Sequence, residues 1–325
     1  MKVLITGGAG YIGSHMALSL LDTNHEVIIL DNLSTGSLKL VPPKATFIKG
    51  DISDLDLVNK ILIEHNLDAV AHFAASIKVD ESVKKPAKYY ENNTVNTLRF
   101  VELLSNSKVN KLIFSSTAAI YGKSHGNLIK ENHNTKPQNP YGSSKLMCEE
   151  IIKEISKISK LKFFILRYFN VAGADIHLRS GQIEEDASHL IGVCVECALQ
   201  KRSFIEVFGN DYETPDGSCV RDFIHITDLI NGHILALEHL LKGGESDVCN
   251  LGYGQGLSVL EIINKVKLIS GTNFPVKIGN KRIGDIPHVV ANNDKIKSKY
   301  NWQPLHNDIE VIIKTALNWQ KRLLI

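Results

Sequence analysis

Residues 2–13 read KVLITGGAGYIG, an apolar run that leads directly into a glycine-rich turn. The run Lys2–Thr6 predicts a strand that is buried on both faces, and the residues after the turn predict a helix. Glycines spaced as GxGxxG from Gly8, or as GxxGxxG from Gly7, permit a tight turn and let the backbone approach a pyrophosphate. The stretch therefore predicts the first strand, turn and helix of a dinucleotide-binding fold.

The first half of the chain repeats this alternation of strand and helix. The predicted strands are Lys2–Thr6, Glu26–Asp31, Thr46–Lys49, Ala69–Phe73, Lys111–Ser115 and Phe163–Arg167, and the predicted helices between them are His15–Leu21, Leu55–His65, Val95–Ser105 and Tyr141–Ser159. Strands separated by helices indicate crossover connections and a parallel sheet. Because such crossovers are right-handed, we expect an α/β fold with a doubly wound parallel sheet of the Rossmann type.

The pattern changes near Asn170 to shorter elements with more glycine and polar residues. No linker rich in proline or serine marks the change. We therefore predict a nucleotide-binding Rossmann domain over residues 1–169 and a second, smaller mixed α/β domain over residues 170–325. We also expect some crossing of the chain between the two.

The composition is that of an ordinary globular chain of 325 residues, with 43% apolar and 22% charged residues. The formal net charge of +2 provides no electrostatic footprint for nucleic acid or for an anionic membrane surface. No apolar run reaches the roughly 18 residues that a bilayer span needs, and no signal-peptide pattern precedes the strand at Lys2. We therefore expect a cytoplasmic protein that has neither nucleic acid nor membrane as its partner.

The cysteines, five in number and without framework spacing, indicate reduced thiols in a reducing compartment. Cys194 and Cys197 form a CxxC motif, which is also found in redox and zinc sites. However, the sequence has no second CxxC, and the segment Leu190–Leu199 has the pattern of an apolar helix. We interpret the pair as two small buried residues one helical turn apart, and we predict no metal site.

A carboxylate ends the second predicted strand. Asp31 lies 18 residues beyond Gly13, where it would accept hydrogen bonds from the adenosine ribose hydroxyls of a dinucleotide. It would repel a 2′-phosphate, and no arginine lies nearby, so NAD is favoured over NADP; a solvated turn carboxylate is the alternative. Asp51 and Ile52 follow the third strand, where they would meet the adenine. The small residues of Phe73–Ala75 would allow the backbone to approach the cofactor closely.

Tyr141 and Lys145 form a YxxxK motif at the start of a predicted helix. Asn139 and Pro140 are typical of an N-cap and a first helical position, so Tyr141 and Lys145 share one helix face. A free tyrosine has a pKa of about 10, but a lysine ammonium and a helix N-terminus both favour the phenolate. We therefore predict that Tyr141 exchanges protons with an alcohol and that Lys145 also reaches the nicotinamide ribose.

Hydroxyl side chains follow the strand Lys111–Ser115, at the edge of the sheet where such folds bind their ligands. Of these, Thr117 is the candidate to relay a proton or to hold the substrate oxygen. The alternative is a strand-end hydroxyl that caps the next turn.

These features together resemble the extended short-chain dehydrogenase/reductases, and within them the UDP-glucose 4-epimerase family. The resemblance runs over essentially the whole chain in the same motif order, and its segments are GGAGYIGSH at 7–15, DNL at 31–33, FSSTAAIYG at 114–122, LRYFN at 166–170 and DGSCVRDFIH at 216–225. It implies a UDP-hexose substrate, such as UDP-glucose or UDP-galactose, and an NAD that is held throughout turnover. It also implies a homodimer formed through Val95–Ser105 and Tyr141–Ser159.

The mechanism implied by the resemblance is an inversion at C4. Tyr141 would take the proton of the 4-hydroxyl as hydride leaves C4 for the nicotinamide, with assistance from Thr117. The 4-keto sugar would then turn over while the UDP stays anchored, and hydride would return to the opposite face.

The site residues divide into two groups. The pattern and the resemblance together place at the cofactor Gly7, Gly10, Tyr11, Ile12, Gly13, Asp31, Asn32, Asp51, Ile52, Phe73, Ala74, Ala75, Asn92, Ser115, Tyr141, Lys145 and Phe169. The resemblance places at the substrate Thr117, Asn170, His189, Leu190, Phe208, Arg221, Arg282, Asp285 and Val289.

The resemblance also assigns roles on the substrate side. Asn170 would lie by the sugar and diphosphate, while His189, Leu190 and Phe208 would surround the uridine. The arginines Arg221 and Arg282 would grip the diphosphate, which suits their planar donor fork. Asp285 would accept a hydrogen bond from the uridine ribose. Without the motif context, surface charges or structural ion pairs would be the better interpretation of both arginines.

Two positions depart from, or vary within, the family pattern. Some relatives have a lysine that contacts the cofactor after the fourth strand, but here Ile77 occupies that position and Lys78 follows it. Val289 matches a position that is a bulky tyrosine in some members and a small residue in others. A small residue leaves room beside C2 of the sugar, so we hypothesise that UDP-N-acetylglucosamine and UDP-N-acetylgalactosamine are also substrates.

Other functions remain as alternatives. A nucleotide-sugar 4,6-dehydratase needs an Asp-Glu pair after the strand-end threonine, and Ala118 and Ala119 stand there instead. A decarboxylase or a net reductase has no specific feature in its favour. A non-catalytic NAD-binding sensor would not need the set of Tyr141, Lys145 and Thr117.

Overall fold

The computed structural model describes residues 1–122, 128–183, 187–282 and 285–324. The strands are β1 (Lys2–Thr6), β2 (Glu26–Asp31), β3 (Thr46–Lys49), β4 (Ala69–His72), β5 (Lys111–Thr117), β6 (Lys162–Tyr168), β7 (Asn170–Ala172), β8 (Ile205–Phe208), β9 (Val220–His225), β10 (Asp247–Leu251), β11 (Gly256–Ser258), β12 (Val276–Gly279) and β13 (His288–Val289). The helices are α1 (Tyr11–Asp22), α2 (Leu55–Glu64), α3 (Val79–Lys84), α4 (Pro86–Tyr89), α5 (Asn96–Ser105), α6 (Pro140–Lys157), α7 (Leu190–Ala198), α8 (Ile226–Leu241), α9 (Val259–Ser270), α10 (Asp294–Tyr300) and α11 (Ile309–Arg322).

The main sheet has the order β10-β6-β5-β4-β1-β2-β3 among the described residues, and every neighbouring pair in it is parallel. The chain winds outward in both directions from β1, so the strand order reverses between β1 and β4. In doubly wound folds, ligands bind at that switch point, beyond the carboxyl ends of the strands. The predicted fold class is therefore confirmed.

Both faces of the main sheet are covered. Val3 and Ile5 of β1 belong to a core cluster with α1 and α8, while Leu4 between them belongs to a second cluster with α2, α5 and α6. This alternation explains why the strand is a continuous apolar run, since each side chain is buried whichever face it lies on.

Several element bounds differ from the predictions. Helix α1 begins at Tyr11, four residues before the predicted His15, because the helix starts directly after the N-cap Gly10. Strand β5 continues to Thr117, two residues beyond the predicted Ser115, because its hydroxyl residues still pair with β6. The catalytic candidate Thr117 is thus the last residue of a strand rather than part of a loop.

The second part of the chain contributes to the main sheet. Strand β10 pairs with β6 in the register Cys249↔Leu166, although it lies far beyond the predicted boundary at residue 169. Because polar residues interrupt the segment Asp247–Leu251 (DVCNL), the hydrophobic pattern did not predict a strand there. The division into domains at 169/170 stays a prediction.

The smaller sheets lie in the second part of the chain and carry candidate substrate residues. In the larger of them, β9 pairs antiparallel with β11 and parallel with β13 and β7. The other is the parallel pair of β8 and β12. Asn170 begins β7, Phe208 ends β8, and Val289 ends β13 beside Arg221 of β9.

Cys194 and Cys197 lie in α7, where both are buried. In the described part of the chain, none of the helices is long and apolar enough to cross a bilayer.

Candidate active site

The glycine turn after β1 is packed so tightly that side chains do not fit. Gly7 has a φ of +72°, and a Cβ there would lie 2.7 Å from the backbone nitrogen of Ala74. A Cβ on Gly13 would lie 2.3 Å from the carbonyl oxygen of Gly7. These contacts bring the start of α1 against the ends of β1 and β4, at the switch point of the sheet.

The N-terminus of α1 is suited to bind a pyrophosphate. In the described structure, no side chain caps this end at Gly10, and the first turn contains no acidic residue. The first N–H groups and the positive end of the helix dipole are therefore available to an anion. The turn fits the pyrophosphate of the predicted cofactor.

Asp31 is held at the carboxyl end of β2, where the sequence predicted a ribose contact. One carboxylate oxygen accepts from the backbone N–H of Ala9 at 2.9 Å, and the other accepts from that of Leu33 at 2.8 Å. Each oxygen keeps a further lone pair, so the oriented carboxylate could still accept from ribose hydroxyls. Next to it, Asn32 donates to Asp51 at 2.5 Å, which brings the predicted adenosine-side residues together.

The segment after β4 is anchored to a π-helical turn, Tyr90–Val95, that precedes α5. Asn93 of that turn accepts from the backbone of Ser76 at 2.8 Å and donates to Ser144 of α6 at 3.0 Å. The neighbouring Asn92 donates to the hydroxyl of Ser76 at 3.2 Å. The predicted cofactor residue Asn92 therefore lies between the end of β4 and the helix that carries Tyr141.

The N-terminus of α6 docks on the turn after β5. Asn139 caps α6 by accepting from the backbone of Gly142 at 2.8 Å, and Pro140 follows at the first position, as predicted. A Cβ on Gly142 would lie 2.3 Å from the carbonyl oxygen of Ala119, so only glycine permits this approach. The contact places the first turn of α6 against the end of β5.

Tyr141, Thr117 and Lys145 meet at this junction. The side chain of Thr117 lies beside that of Tyr141 and lowers its pKa, and the Thr117 hydroxyl accepts from the backbone of Ala119 at 3.1 Å. The predicted cap by Thr117 is therefore present, and its role at the site stays a prediction. Lys145 lies one turn along α6 with 3% of its surface exposed, and its ammonium is 4.5 Å from the ring centroid of Phe114.

The pKa of Tyr141 is raised rather than lowered. Burial raises it, and the hydrogen bond from Thr117 opposes that effect only in part. The predicted preference of Lys145 and the helix N-terminus for the phenolate does not set the pKa of Tyr141 in the protein by itself, because desolvation penalises the charged form more strongly. Burial also lowers the pKa of Lys145 to about 8, so its ammonium is still mostly protonated at neutral pH.

Ser115 and Phe169 flank the same edge of the sheet. The hydroxyl of Ser115 is hydrogen-bonded to that of Tyr168, the last residue of β6. Phe169 is buried, and its backbone N–H donates to Leu251 at 3.2 Å.

Asn170, His189 and Leu190, three of the predicted substrate residues, line one cavity of about 30 Å³. Gln182 and Trp319 line the same cavity from other segments. Tyr11 reaches toward it, since its hydroxyl donates to the carbonyl of Gly173 at 2.7 Å, just beyond β7. The glycine turn and the substrate side are thus joined by a direct bond.

The two predicted diphosphate arginines lie around Asp285. Arg221 donates to the carbonyl of Ile286 at 2.8 Å and lies 3.8 Å from the Asp285 carboxylate. Arg282 stacks on the ring of Phe208 at 3.7 Å. Burial raises the pKa of Asp285, and the two arginines oppose this. The residues Ile283 and Gly284 of the same predicted motif lie outside the described residues.

A second carboxylate competes for Arg282. The Asp80 side chain in α3 lies 3.8 Å from the Arg282 guanidinium, and both side chains are largely exposed. No sequence pattern indicates this pair, because the two residues are about 200 positions apart.

The sequence also missed a buried polar network beneath the catalytic helix. It joins Glu149 of α6, Ser116 of β5 and Arg167 of β6. One signal could have found it: Glu149 lies one turn beyond Lys145, on the face of α6 that the motif already assigns to the protein interior.

Comparison with known proteins gives consistent matches over the whole chain. A model of the NAD dependent epimerase/dehydratase family matches residues 3–252. A UDP-glucose 4-epimerase of Azospirillum brasilense is 44% identical over 322 residues, which cover 99% of this chain and 92% of that protein.

Solved structures agree in shape as well as sequence. The structure of the UDP-Glc/GlcNAc 4-epimerase from Campylobacter jejuni has a TM-score of 0.86 and 45% identity, and the match covers 99% of each chain. A UDP-glucose 4-epimerase from Brucella ovis, solved in complex with NAD, has a TM-score of 0.94 and 38% identity, covering 98% of this chain and 97% of that one.

Proposed function

The chain belongs to the NAD dependent epimerase/dehydratase family, and we propose that it is an isomerase that inverts C4 of a UDP-hexose, with NAD as its cofactor. The resemblance to the UDP-glucose 4-epimerases that the motifs indicate is confirmed by these matches. One observation carries the proposal most directly. The first turn of α6 docks on the turn after β5, where a Cβ on Gly142 would lie 2.3 Å from the carbonyl oxygen of Ala119, and this places Tyr141 beside Thr117 with Lys145 one helical turn away.

The residues of the glycine turn and β2 fit the cofactor. We propose that the uncapped start of α1 binds the pyrophosphate and that Asp31 accepts from the adenosine ribose. The chemistry that bound NAD supplies is the reversible acceptance of a hydride. We propose that Lys145 donates to the nicotinamide ribose and that its charge favours the phenolate of Tyr141.

The protein's own residues manage the proton. Tyr141 takes the proton of the sugar 4-hydroxyl as C4 becomes a carbonyl, and it returns that proton when the alcohol forms again. Its raised pKa makes the phenolate hard to form and strongly basic once formed, so removal of the sugar proton needs positive charge nearby. Thr117 bridges Tyr141 and the substrate oxygen, which keeps the proton path short.

The nucleotide is the fixed part of the substrate. We propose that Arg221 and Arg282 bind the diphosphate, since guanidinium groups form paired hydrogen bonds with phosphate oxygens. Asn170, His189, Leu190 and Phe208 would contact the sugar and uridine, and Asp285 the uridine ribose. Anchoring at the UDP leaves the 4-keto sugar free to present its other face.

An assay without added cofactor tests the proposal. Purified protein is mixed with UDP-glucose alone, and both product and the absorbance of reduced nicotinamide are followed. We expect UDP-galactose to form with no net reduced cofactor. Unchanged sugar would support the alternative of a non-catalytic NAD-binding protein, and stoichiometric reduced cofactor would indicate a dehydrogenase.

We further propose that N-acetylated UDP-hexoses are substrates. Val289 is a small side chain on β13 beside Arg221, and the relative from Campylobacter jejuni is a UDP-Glc/GlcNAc 4-epimerase. We expect Val289→Tyr to abolish turnover of UDP-N-acetylglucosamine while UDP-glucose turnover persists, with Val289→Ala as the control that keeps both. Wild-type protein inactive on the acetylated sugar would reject this extension.

We also propose a homodimer through α5 and α6. Val95, Leu98 and Met147 are exposed apolar residues on or next to these helices. Light scattering after gel filtration tests the assembly, and Leu98→Glu should give a monomer. Leu268→Glu on α9, which is also apolar and is more exposed than Leu98, is the control. A monomeric wild type would contradict the proposal.

The cytoplasm is the compartment that we propose. All five cysteines are buried and free of disulfide bonds, as expected in a reducing environment. Fractionation of the source cells, followed by detection of the protein, tests this.

A further inference from the structure

Glu149 is a fully buried charge on the catalytic helix. Its exposed fraction is 0%, and it lies one turn beyond Lys145 and two turns beyond Tyr141 on α6. Residues spaced by four lie on one stripe of a helix, so the three side chains face the same side. A buried carboxylate is tolerated only where its oxygens are hydrogen-bonded, so its partners show what it holds in place.

The partners of Glu149 come from the two strands under the helix and from α6 itself, where the Lys153 ammonium lies 3.6 Å from the carboxylate. Arg167 of β6 donates from Nε at 3.0 Å and from Nη2 at 2.6 Å. Ser116 of β5 donates to the same carboxylate at 2.5 Å, and the next residue along that strand is Thr117. The carboxylate therefore ties α6 to the strand that ends in the catalytic threonine.

Arg167 is itself fixed from the far side. Its Nη1 donates to the hydroxyl of Tyr121 at 2.8 Å and to the carbonyl of Glu131 at 3.0 Å. Tyr121 follows the turn Ala118–Ile120, on which the start of α6 docks. The network thus connects both ends of the junction at which Tyr141 and Thr117 meet.

We propose that Glu149 is a positioning residue for the reaction: its carboxylate fixes the height and rotation of α6, and so holds Tyr141 and Lys145 in register with Thr117. The inference rests on the proposed function, since it assigns Glu149 to the same catalytic groups. A helix that slid by a fraction of a turn would separate the hydroxyls of Tyr141 and Thr117, and misplacements of about 1 Å can lower rates by about a hundredfold.

The charge of Glu149 acts on Lys145 as well. The titratable groups that interact with that ammonium are Cys148 and Glu149 of α6 and His72 of β4. Glu149 is itself paired with Arg167 of β6 and with Lys153 of α6. Burial lowers the pKa of Lys145 to about 8, and Cys148 and Glu149 oppose that decrease. Neutralising Glu149 should therefore lower this pKa further.

The test variant is Glu149→Gln, which keeps the shape and removes the charge. We expect kcat to fall about tenfold or more at neutral pH with KM changed less than about twofold, because the substrate contacts lie elsewhere. The alkaline limb of the kcat profile should move to lower pH. Glu150→Gln, the exposed neighbour on the same helix, is the matched control and should change none of these.

The pKa of Lys145 can be measured directly, without an assay of turnover. Protein labelled with ¹³C at the lysine ε carbons is titrated by NMR, and the Lys145 signal is assigned by its loss in Lys145→Arg. We expect the Lys145 pKa to be lower in Glu149→Gln than in wild type and in Glu150→Gln. A wild type without epimerase activity would defeat the proposed function, whereas an unchanged kcat and Lys145 pKa in folded Glu149→Gln would defeat this inference.

Ser116→Ala decides the matter if Glu149→Gln does not fold. It removes one bond to the carboxylate and leaves the ion pair with Arg167 in place. We expect kcat to fall severalfold, with KM and the Lys145 pKa unchanged, because the register is loosened while the charge stays. Wild-type kcat in Ser116→Ala would overturn the positioning role.

Discussion

The two sides of the active site are built in opposite ways. The catalytic side is buried and fixed: Thr117 and Lys145 are 8% and 3% exposed, and the helix that carries Lys145 is tied to the sheet beneath. On the substrate side, the Arg282 side chain is 44% exposed and its partner Asp80 is 67% exposed. The proposed catalytic residues thus lie on regular elements, whereas Arg282, which we propose binds the diphosphate, could exchange its carboxylate partner for a phosphate.

The difference follows from what each side must do. Proton transfer requires fixed distances, and buried hydrogen-bonded side chains on helices and strands provide them. Substrate entry requires groups that reach solvent before they bind, so Arg282 lies in a segment after β12 rather than inside a sheet. We expect substitutions on the two sides to change different quantities, namely kcat or the free energy of unfolding on the catalytic side and KM on the substrate side.

The largest effect is expected on the catalytic side. Tyr141→Phe removes the hydroxyl that carries the proton, so kcat should fall by about a hundredfold or more while KM changes little. Steady-state kinetics with UDP-glucose measures both. Tyr300→Phe removes a hydroxyl that bonds Asp247 far from the site, and it should keep near-normal kcat. Near-normal turnover in Tyr141→Phe would remove Tyr141 from its assigned role.

The substrate side should respond mainly in KM. Arg282→Gln removes a charged donor to the diphosphate, and hydrogen bonds to charged groups contribute about 1.5–3 kcal/mol, so we expect KM to rise about 10- to 100-fold. Lys281→Gln, next to it and paired with Asp211, is the matched control. A loss confined to kcat would erase the distinction between the two sides.

The buried catalytic side should also lower the free energy of unfolding in acid. Burial, and then Lys145, lowers the pKa of His72 to about 3, whereas in the unfolded chain it is about 6.5. The free energy of unfolding that neutral His72 contributes is therefore fully present above pH 6.5. It is lost as the pH falls from 6.5 toward 3, at up to about 1.4 kcal/mol per pH unit. Urea unfolding at pH 7 and pH 5 measures it.

A variant pair assigns this pH dependence to His72. His72→Asn keeps a group for the hydroxyl of Thr6 but does not titrate, so its free energy of unfolding should depend less on pH than that of wild type. The exposed His177→Asn should leave the pH dependence unchanged. Equal slopes in wild type and His72→Asn would place the acid sensitivity elsewhere.

The smallest effect is expected at the exposed pair. Asp80→Asn removes the carboxylate that competes for Arg282, so KM for the UDP-sugar should fall by less than about fivefold, because exposed ion pairs contribute little. Asp56→Asn on α2, also exposed, is the control. A higher KM in Asp80→Asn would mean that Asp80 orients Arg282 for binding instead of competing for it.

The sequence predicts more of the catalytic side of the site than of the substrate side. The glycine turn, the bounds of β2 and β3 and the N-cap of α6 follow from short patterns, because each depends on residues close together in the chain. The strand Asp247–Leu251 and the pairing of Arg282 with Asp80 depend on residues far apart, so the sequence did not reveal them.

The pKa of Tyr141 shows a different limit. The motif correctly placed an ammonium one turn away, but the sequence does not give the desolvation that outweighs it. The same holds for Glu149, whose spacing from Lys145 is visible while its partners Ser116 and Arg167 are not. Spacing predicts which side chains share a face, and only the packed structure shows how strongly they are desolvated.

The central claim is that the hydrogen on C4 and the proton of the 4-hydroxyl travel by separate routes, the second through Tyr141. UDP-glucose that carries deuterium at C4 is converted in ordinary water, and the product is examined by mass spectrometry and NMR. We expect UDP-galactose with the deuterium retained at C4. Loss of the label to solvent would contradict it, because the carbon-bound hydrogen would then have passed through an exchangeable group of the protein.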